Sequence, residues 1–229
     1  MAFRASMGAM TRALIALTSH RQLGNTGRET GFYVGEAAEP WEVFRAAGWD
    51  VDLVSVAGGR PPQDGRDEND KTQNDFLATA GVENTPKAAD VDPAGYDAIV
   101  FAGGHGAMWD FPDNPDLARI AASIYERGGV VSAVCHGPAA LVDLKLTDGA
   151  KLVAGKRVAG FTNDEEDAVG LSAEVPFLLA DKLTEAGATH VPAPNFTEHV
   201  VVDGRLVTGQ NPQSARALAE AVVKTVQSA

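Results

Sequence analysis

Cys135 is the only cysteine of the 229-residue chain. It closes the apolar run Val130-Val131-Ser132-Ala133-Val134 and is followed at once by His136, Gly137 and Pro138. A buried strand, a sharp turn and helix-forming residues, in that order, have the layout of a nucleophile elbow. Such a turn lifts the side chain above the carboxyl edge of a sheet. It also points the following N–H groups and the positive helix end at the sulfur. Both effects favour thiolate over thiol. The adjacent His136 and the Gly-Pro turn therefore predict a reactive Cys135, rather than the small buried hydrophobe that a free cysteine often is.

Further stretches bear on the same chemistry. Gly103-Gly104-His105-Gly106 closes a second apolar run. Its glycines let backbone N–H groups approach a ligand closely, which suits an oxyanion site at Gly104, His105 and Gly106. The spacing is not that of a phosphate-binding loop, and no Lys-Ser/Thr pair follows. Glu36 lies among small and apolar residues just ahead of a helical stretch. Its carboxyl group is either partly buried with a raised pKa or drawn to the positive helix end. Asp164, Glu165, Glu166 and Asp167 follow Gly160-Phe161-Thr162-Asn163, where Thr162 or Asn163 can cap a helix. Most of these acids are expected in solvent, with one reaching back to orient His136. No regular histidine spacing accompanies them, so a metal site is not expected.

These residues must be positioned by alternating elements. Apolar runs of strand length lie at Ala13–Thr18, Val51–Val56, Ala98–Ala102 and Val130–Val134, with a weaker one at Arg157–Phe161. Between them, helices are predicted over Glu39–Ala47, Pro115–Arg127, Pro138–Leu144 and Glu165–Ala186, the last broken or kinked at Pro176. Asn211 as N-cap and Pro212 at the first helical position open a C-terminal helix reaching Gln227. This alternation predicts an α/β fold: a mostly parallel sheet with helices on both faces. β-rich runs flanking Asp203-Gly204 predict an antiparallel hairpin added to it. The polar segment 58–92 is too long for a plain loop and reads as an insertion with a short helix near Lys71–Ala80.

Composition narrows the function classes. Asp plus Glu number 31 against 19 Lys plus Arg, a net charge of −12. That balance disfavours nucleic acid and anionic membranes as partners. The single cysteine excludes an intramolecular disulfide and the cysteine-rich zinc sites. No apolar run is long enough to span a bilayer. Residues 1–9 read as a loose leader, residues 10–229 as one domain, and cytoplasmic location is the default.

Gly103-Gly104-His105-Gly106 together with Ala133-Val134-Cys135-His136-Gly137-Pro138 resembles the ThiJ/PfpI superfamily, relatives of the class I glutamine amidotransferases. Leu17-Thr18-Ser19-His20, Asp110-Phe111-Pro112, Gly160-Phe161-Thr162 and the run from Asp203 to Pro212 are similar to its heat-shock chaperone and glyoxalase III branch. The resemblance implies a flavodoxin-like three-layer sandwich, a homodimer, Cys135 as nucleophile and His136 as its partner. It further implies that Glu36 contacts the sulfur and that Glu166, or its neighbour Glu165, is the acidic third member. The activity it implies is glutathione-independent conversion of methylglyoxal and water to lactate through a cysteine hemithioacetal. The substrate would be a small reactive aldehyde, with no cofactor and no metal. Other roles in the superfamily are a holding chaperone, a deglycase, or an amidase or peptidase. No His-x-Glu element matches that of the amidotransferases, which disfavours glutamine hydrolysis.

Overall fold

The computed structural model describes residues 10–228. The leader expected at 1–9 lies outside them. Six strands form the main sheet: β1 (Arg12–Leu17), β2 (Asp50–Ser55), β3 (Ala98–Phe101), β4 (Val130–Val134), β5 (Val200–Asp203) and β6 (Leu206–Gly209). Their spatial order is β2-β1-β3-β4-β6-β5, parallel throughout except for the antiparallel edge pair β6/β5. β1, β3 and β4 are buried along nearly their whole length, as continuous apolar runs covered on both faces must be. The hydroxyl of Ser132 inside β4 is accommodated because it donates to the Ile99 carbonyl at 2.8 Å.

The helices are α1 (Val34–Ala46), α2 (Lys71–Thr79), α3 (Ala107–Asp110), α4 (Pro115–Glu126), α5 (Asn163–Ala168), α6 (Leu179–Glu185) and α7 (Ala215–Gln227). The crossover carrying α1 runs from β1 outward to β2, whereas that carrying α4 runs from β3 to β4 in the other direction. Right-handed crossovers therefore put α1 and α4 on opposite faces. α7 packs beside α1, completing a flavodoxin-type sandwich. Within segment 58–92, α2 begins at Asp70, whose side chain accepts the Gln73 N–H. Its Phe76 docks edge-on against Trp41 of α1, with ring centroids 5.8 Å apart.

Several elements differ from expectation, each for a local reason. The stretch Pro138–Leu144 is not an α-helix but a 3₁₀ turn over Gly137–Leu141. The segment predicted as one helix from Glu165 splits into α5 and α6, with Pro176 in the irregular stretch between them. Arg157–Phe161 contributes only the two-residue strand Arg157–Val158, which pairs with Thr189–His190 outside the main sheet. The β5/β6 register pairs Asp203 with Leu206, so the tight loop is Gly204-Arg205, with Gly204 at φ 60°, rather than Asp203-Gly204. Asn211 precedes a 3₁₀ turn at Pro212–Ser214 and makes no side-chain cap. Its amide is engaged by a buried carboxylate instead.

Candidate active site

β4 ends at Val134, and the next residue, Cys135, turns to φ 60°. That left-handed conformation is strained for a cysteine and is held from both sides. Its N–H donates to the Gly209 carbonyl at 3.0 Å, and its carbonyl accepts the Phe161 N–H at 2.9 Å. Gly137 completes the turn: a Cβ there would lie 2.1 Å from the Phe101 carbonyl oxygen. The elbow thus sits above the carboxyl ends of β3 and β4, where ligands bind in open α/β sheets.

His136 follows the elbow, with Nδ1 3.3 Å from Sγ of Cys135 and Nε2 2.6 Å from Oε2 of Glu166. Glu166 is placed by the first turn of α5, where Thr162 accepts the Glu165 N–H and Glu165 reaches back to the Thr162 N–H in a capping box. The other oxygen of Glu166 faces Nε2 of His105 at 2.7 Å. Burial works to raise the Glu166 pKa, but the hydrogen bonds from both histidines overcome it and hold the group at about 2. It is therefore an ionised acceptor, and both imidazoles donate their Nε2 protons to it. Burial, reinforced by the neighbouring His105, pushes His136 down to about 4 despite the pull of Glu166. A neutral His136 with its proton on Nε2 turns the Nδ1 lone pair toward the thiol.

Glu36 also adjoins Cys135. It lies in the first turn of α1 and is wholly buried. Its Oε2 accepts the Gly103 N–H at 2.7 Å, while Oε1 is buried with no hydrogen-bonding partner among the described residues. Burial raises its pKa to about 8, although interaction with Cys135 and the Gly103 N–H both oppose the rise. A Cβ on Gly103 would lie 2.4 Å from Oε2, so only glycine leaves room for this carboxyl group. Cys135 itself departs from the expected preformed thiolate. Burial, and after it the adjacent Glu36, push the thiol well up, outweighing the His136 N–H that points at the sulfur. The elbow's N–H groups were the legible half of that balance; desolvation was the other half.

Cys135, His136, Gly104 and His105 line one cavity of about 310 Å³. Gly106 does not line it; it packs where a Cβ would meet the His20 carbonyl at 2.7 Å. The rest of the wall includes Tyr33, Phe161 and Phe196, none of which sequence reasoning picked out as a site residue. The ligating atoms of His105, His136 and Glu166 lie within 4.8 Å of one another, close enough for a metal ion. The two hydrogen bonds to Glu166 already account for that closeness. Glu165 and Glu166 are both buried, against the expectation that most of these acids face solvent. Geometry separates the two, because only Glu166 touches His136.

A model of the DJ-1/PfpI family matches residues 29–225. Glyoxalase 3 of Candida albicans is 39% identical over 93% of this chain and 98% of its own length. The glutathione-independent glyoxalase HSP31 of Saccharomyces cerevisiae is 37% identical, over 92% and 96% respectively. Among solved structures, the 24 kDa rapid encystment protein of Francisella tularensis superimposes with a TM-score of 0.91. It is 38% identical, and 95% of this chain and 99% of that one are covered.

Proposed function

Because this chain belongs to the DJ-1/PfpI family, we propose that the triad Cys135–His136–Glu166 makes it a glutathione-independent glyoxalase acting on methylglyoxal. The observation that carries the reading is an imidazole, kept neutral by burial, whose free nitrogen faces the sulfur at 3.3 Å, with a protonatable carboxyl group, that of Glu36, also beside the sulfur.

The thiol is not ionised beforehand, so His136 acts as general base during attack. Sulfur bonds to the aldehyde carbon as His136 Nδ1 takes the thiol proton, and Glu166 stabilises the resulting imidazolium. The carbonyl electrons pass to oxygen, held by backbone N–H groups near Gly104 and His136, and the oxygen is protonated to give a hemithioacetal. His136, having passed the thiol proton to that oxygen, removes the aldehyde-derived proton, and an enediol forms. Protonation at the neighbouring carbon leaves a lactoyl thioester on Cys135. Water then cleaves the thioester, restoring the thiol and releasing lactate. The net change is the addition of one water. Glu36, protonated up to about pH 8, avoids placing a second negative charge beside the developing thiolate.

The test is lactate formation from methylglyoxal by the purified protein without glutathione. Turnover that disappears in Cys135→Ala fits the proposal. Undiminished turnover in that variant, or none in the unsubstituted protein, rejects it.

A further inference from the structure

Four large apolar side chains stand exposed among the described residues: Met10, Val169, Phe196 and Val202. Two of them, Val169 and Phe196, border the cavity that contains Cys135. Phe196 is held there against its own preference. Its φ is 55°, a left-handed conformation that an aromatic residue rarely adopts. The anchor is a buried carboxylate for which the mechanism has no use. Oε1 of Glu165 accepts the Phe196 N–H at 2.8 Å, together with the side-chain amides of Gln210 at 3.1 Å and Asn211 at 2.9 Å. Its Oε2 accepts the Thr162 N–H at 3.0 Å. No cation lies within salt-bridge distance of it among the described residues. One carboxylate thus ties the helix bearing Glu166 to the loop bearing Phe196.

The ring held by this anchor continues an aromatic wall. Phe161 stacks at a tilt on His136, with centroids 4.4 Å apart, and Phe196 lies 6.2 Å beyond it. Leu23, Val169 and Leu171 add aliphatic surface to the same cavity. Methylglyoxal carries a single methyl group on its ketone, too little apolar surface to cover that wall. Backbone strain at a pocket wall is sustained where it positions something the pocket uses.

We infer that the site prefers α-ketoaldehydes whose ketone carries an aryl or branched alkyl group. Phe196 is the specificity-determining residue and Glu165 the positioning residue that holds it. The inference rests on the α-ketoaldehyde reading above and names its substrate class.

The experiment compares initial-rate kcat/KM for phenylglyoxal and methylglyoxal in the unsubstituted protein, Phe196→Ala, Phe196→Gly and Glu165→Gln. Phenylglyoxal is the better substrate of the unsubstituted protein. Its advantage over methylglyoxal falls about tenfold in both Phe196 variants, a step typical of an apolar pocket contact. Phe196→Gly relieves the strained φ, so its Tm does not drop, which separates loss of the ring from loss of the fold. Glu165→Gln raises KM for phenylglyoxal more than for methylglyoxal, a split that general destabilisation does not produce. An unchanged ratio in the Phe196 variants overturns the inference. Binding of methyl phenyl diketone, which lacks the reactive aldehyde, to Cys135→Ala with and without Phe196→Ala tests it apart from catalysis. Weaker binding without the ring supports the inference, and equal affinity overturns it even if neither aldehyde is turned over.

Discussion

Replacing Glu36 by Gln should make the protein more stable and less active, with a gain in stability that depends on pH in a defined direction. The folded-state pKa of about 8 lies above the ordinary 4.5, so folding favours the protonated carboxyl group. The stability of the unsubstituted protein is then undiminished by this group below about pH 4.5. It declines as pH rises and levels off above about 8. Each pH unit within that window costs about 1.4 kcal/mol. At pH 7 the penalty is about 3 kcal/mol, and at its plateau about 5. Glutamine removes this penalty and retains an acceptor for the Gly103 N–H. Its NH₂ group, left where Oε1 has no partner among the described residues, gives back about 1 kcal/mol. The net gain at neutral pH is about 2 kcal/mol, or a rise in Tm of roughly 4–8 °C for a chain of this size. Urea unfolding of both proteins across pH 4 to 9 measures it directly. Loss of turnover alongside the gain would mark Glu36 as a group kept for function at the expense of stability. A difference independent of pH, or one that widens toward acid, refutes the burial argument.

Other outcomes follow from the same contacts. The kcat/KM profile should rise through about pH 4 as His136 becomes neutral and fall above about 8 as Glu36 ionises; the alkaline limb should vanish in Glu36→Gln. Gly103→Ala should destabilise by about 1–3 kcal/mol in urea unfolding, because its Cβ would stand 2.4 Å from the Glu36 carboxyl oxygen; an unperturbed variant would contradict that packing. Glu166→Gln should lower kcat by about a hundredfold, since an amide in that place no longer fixes both imidazoles as donors. The Glu166 pKa is depressed to about 2, so its stabilising contribution is present above about pH 4.5 and is lost as pH falls toward 2. The stability gap between the unsubstituted protein and Glu166→Gln should shrink over that interval.

The elements that carry the site were legible where one local rule decided them. β4 and the Cys135 turn followed from an apolar run ending at a Gly-Pro pair, and the helix expected over Pro115–Arg127 is α4, Pro115–Glu126. What sequence could not supply was the outcome of competition between distant groups. Elbow geometry argued for a thiolate, but desolvation and Glu36 reverse the balance, and Glu36 arrives from α1, far away in the chain. Glu165 and Glu166 are adjacent and chemically identical, and only the helical turn from Thr162 aims one at His136 and the other at Phe196. Phe196 itself lies in a Pro- and Asn-containing stretch that reads as ordinary loop. Its strained φ and its place on the cavity wall depend on contacts with residues 210 and 211 that hold Glu165 in turn.

The central claim is a covalent bond between substrate carbon and the sulfur of Cys135. Rapid acid quench of the protein turning over isotope-labelled methylglyoxal, followed by peptide mapping, addresses it most directly. Label is expected on the peptide containing Cys135, released by hydroxylamine as a thioester is. Lactate produced at full rate while that peptide stays unlabelled would contradict it.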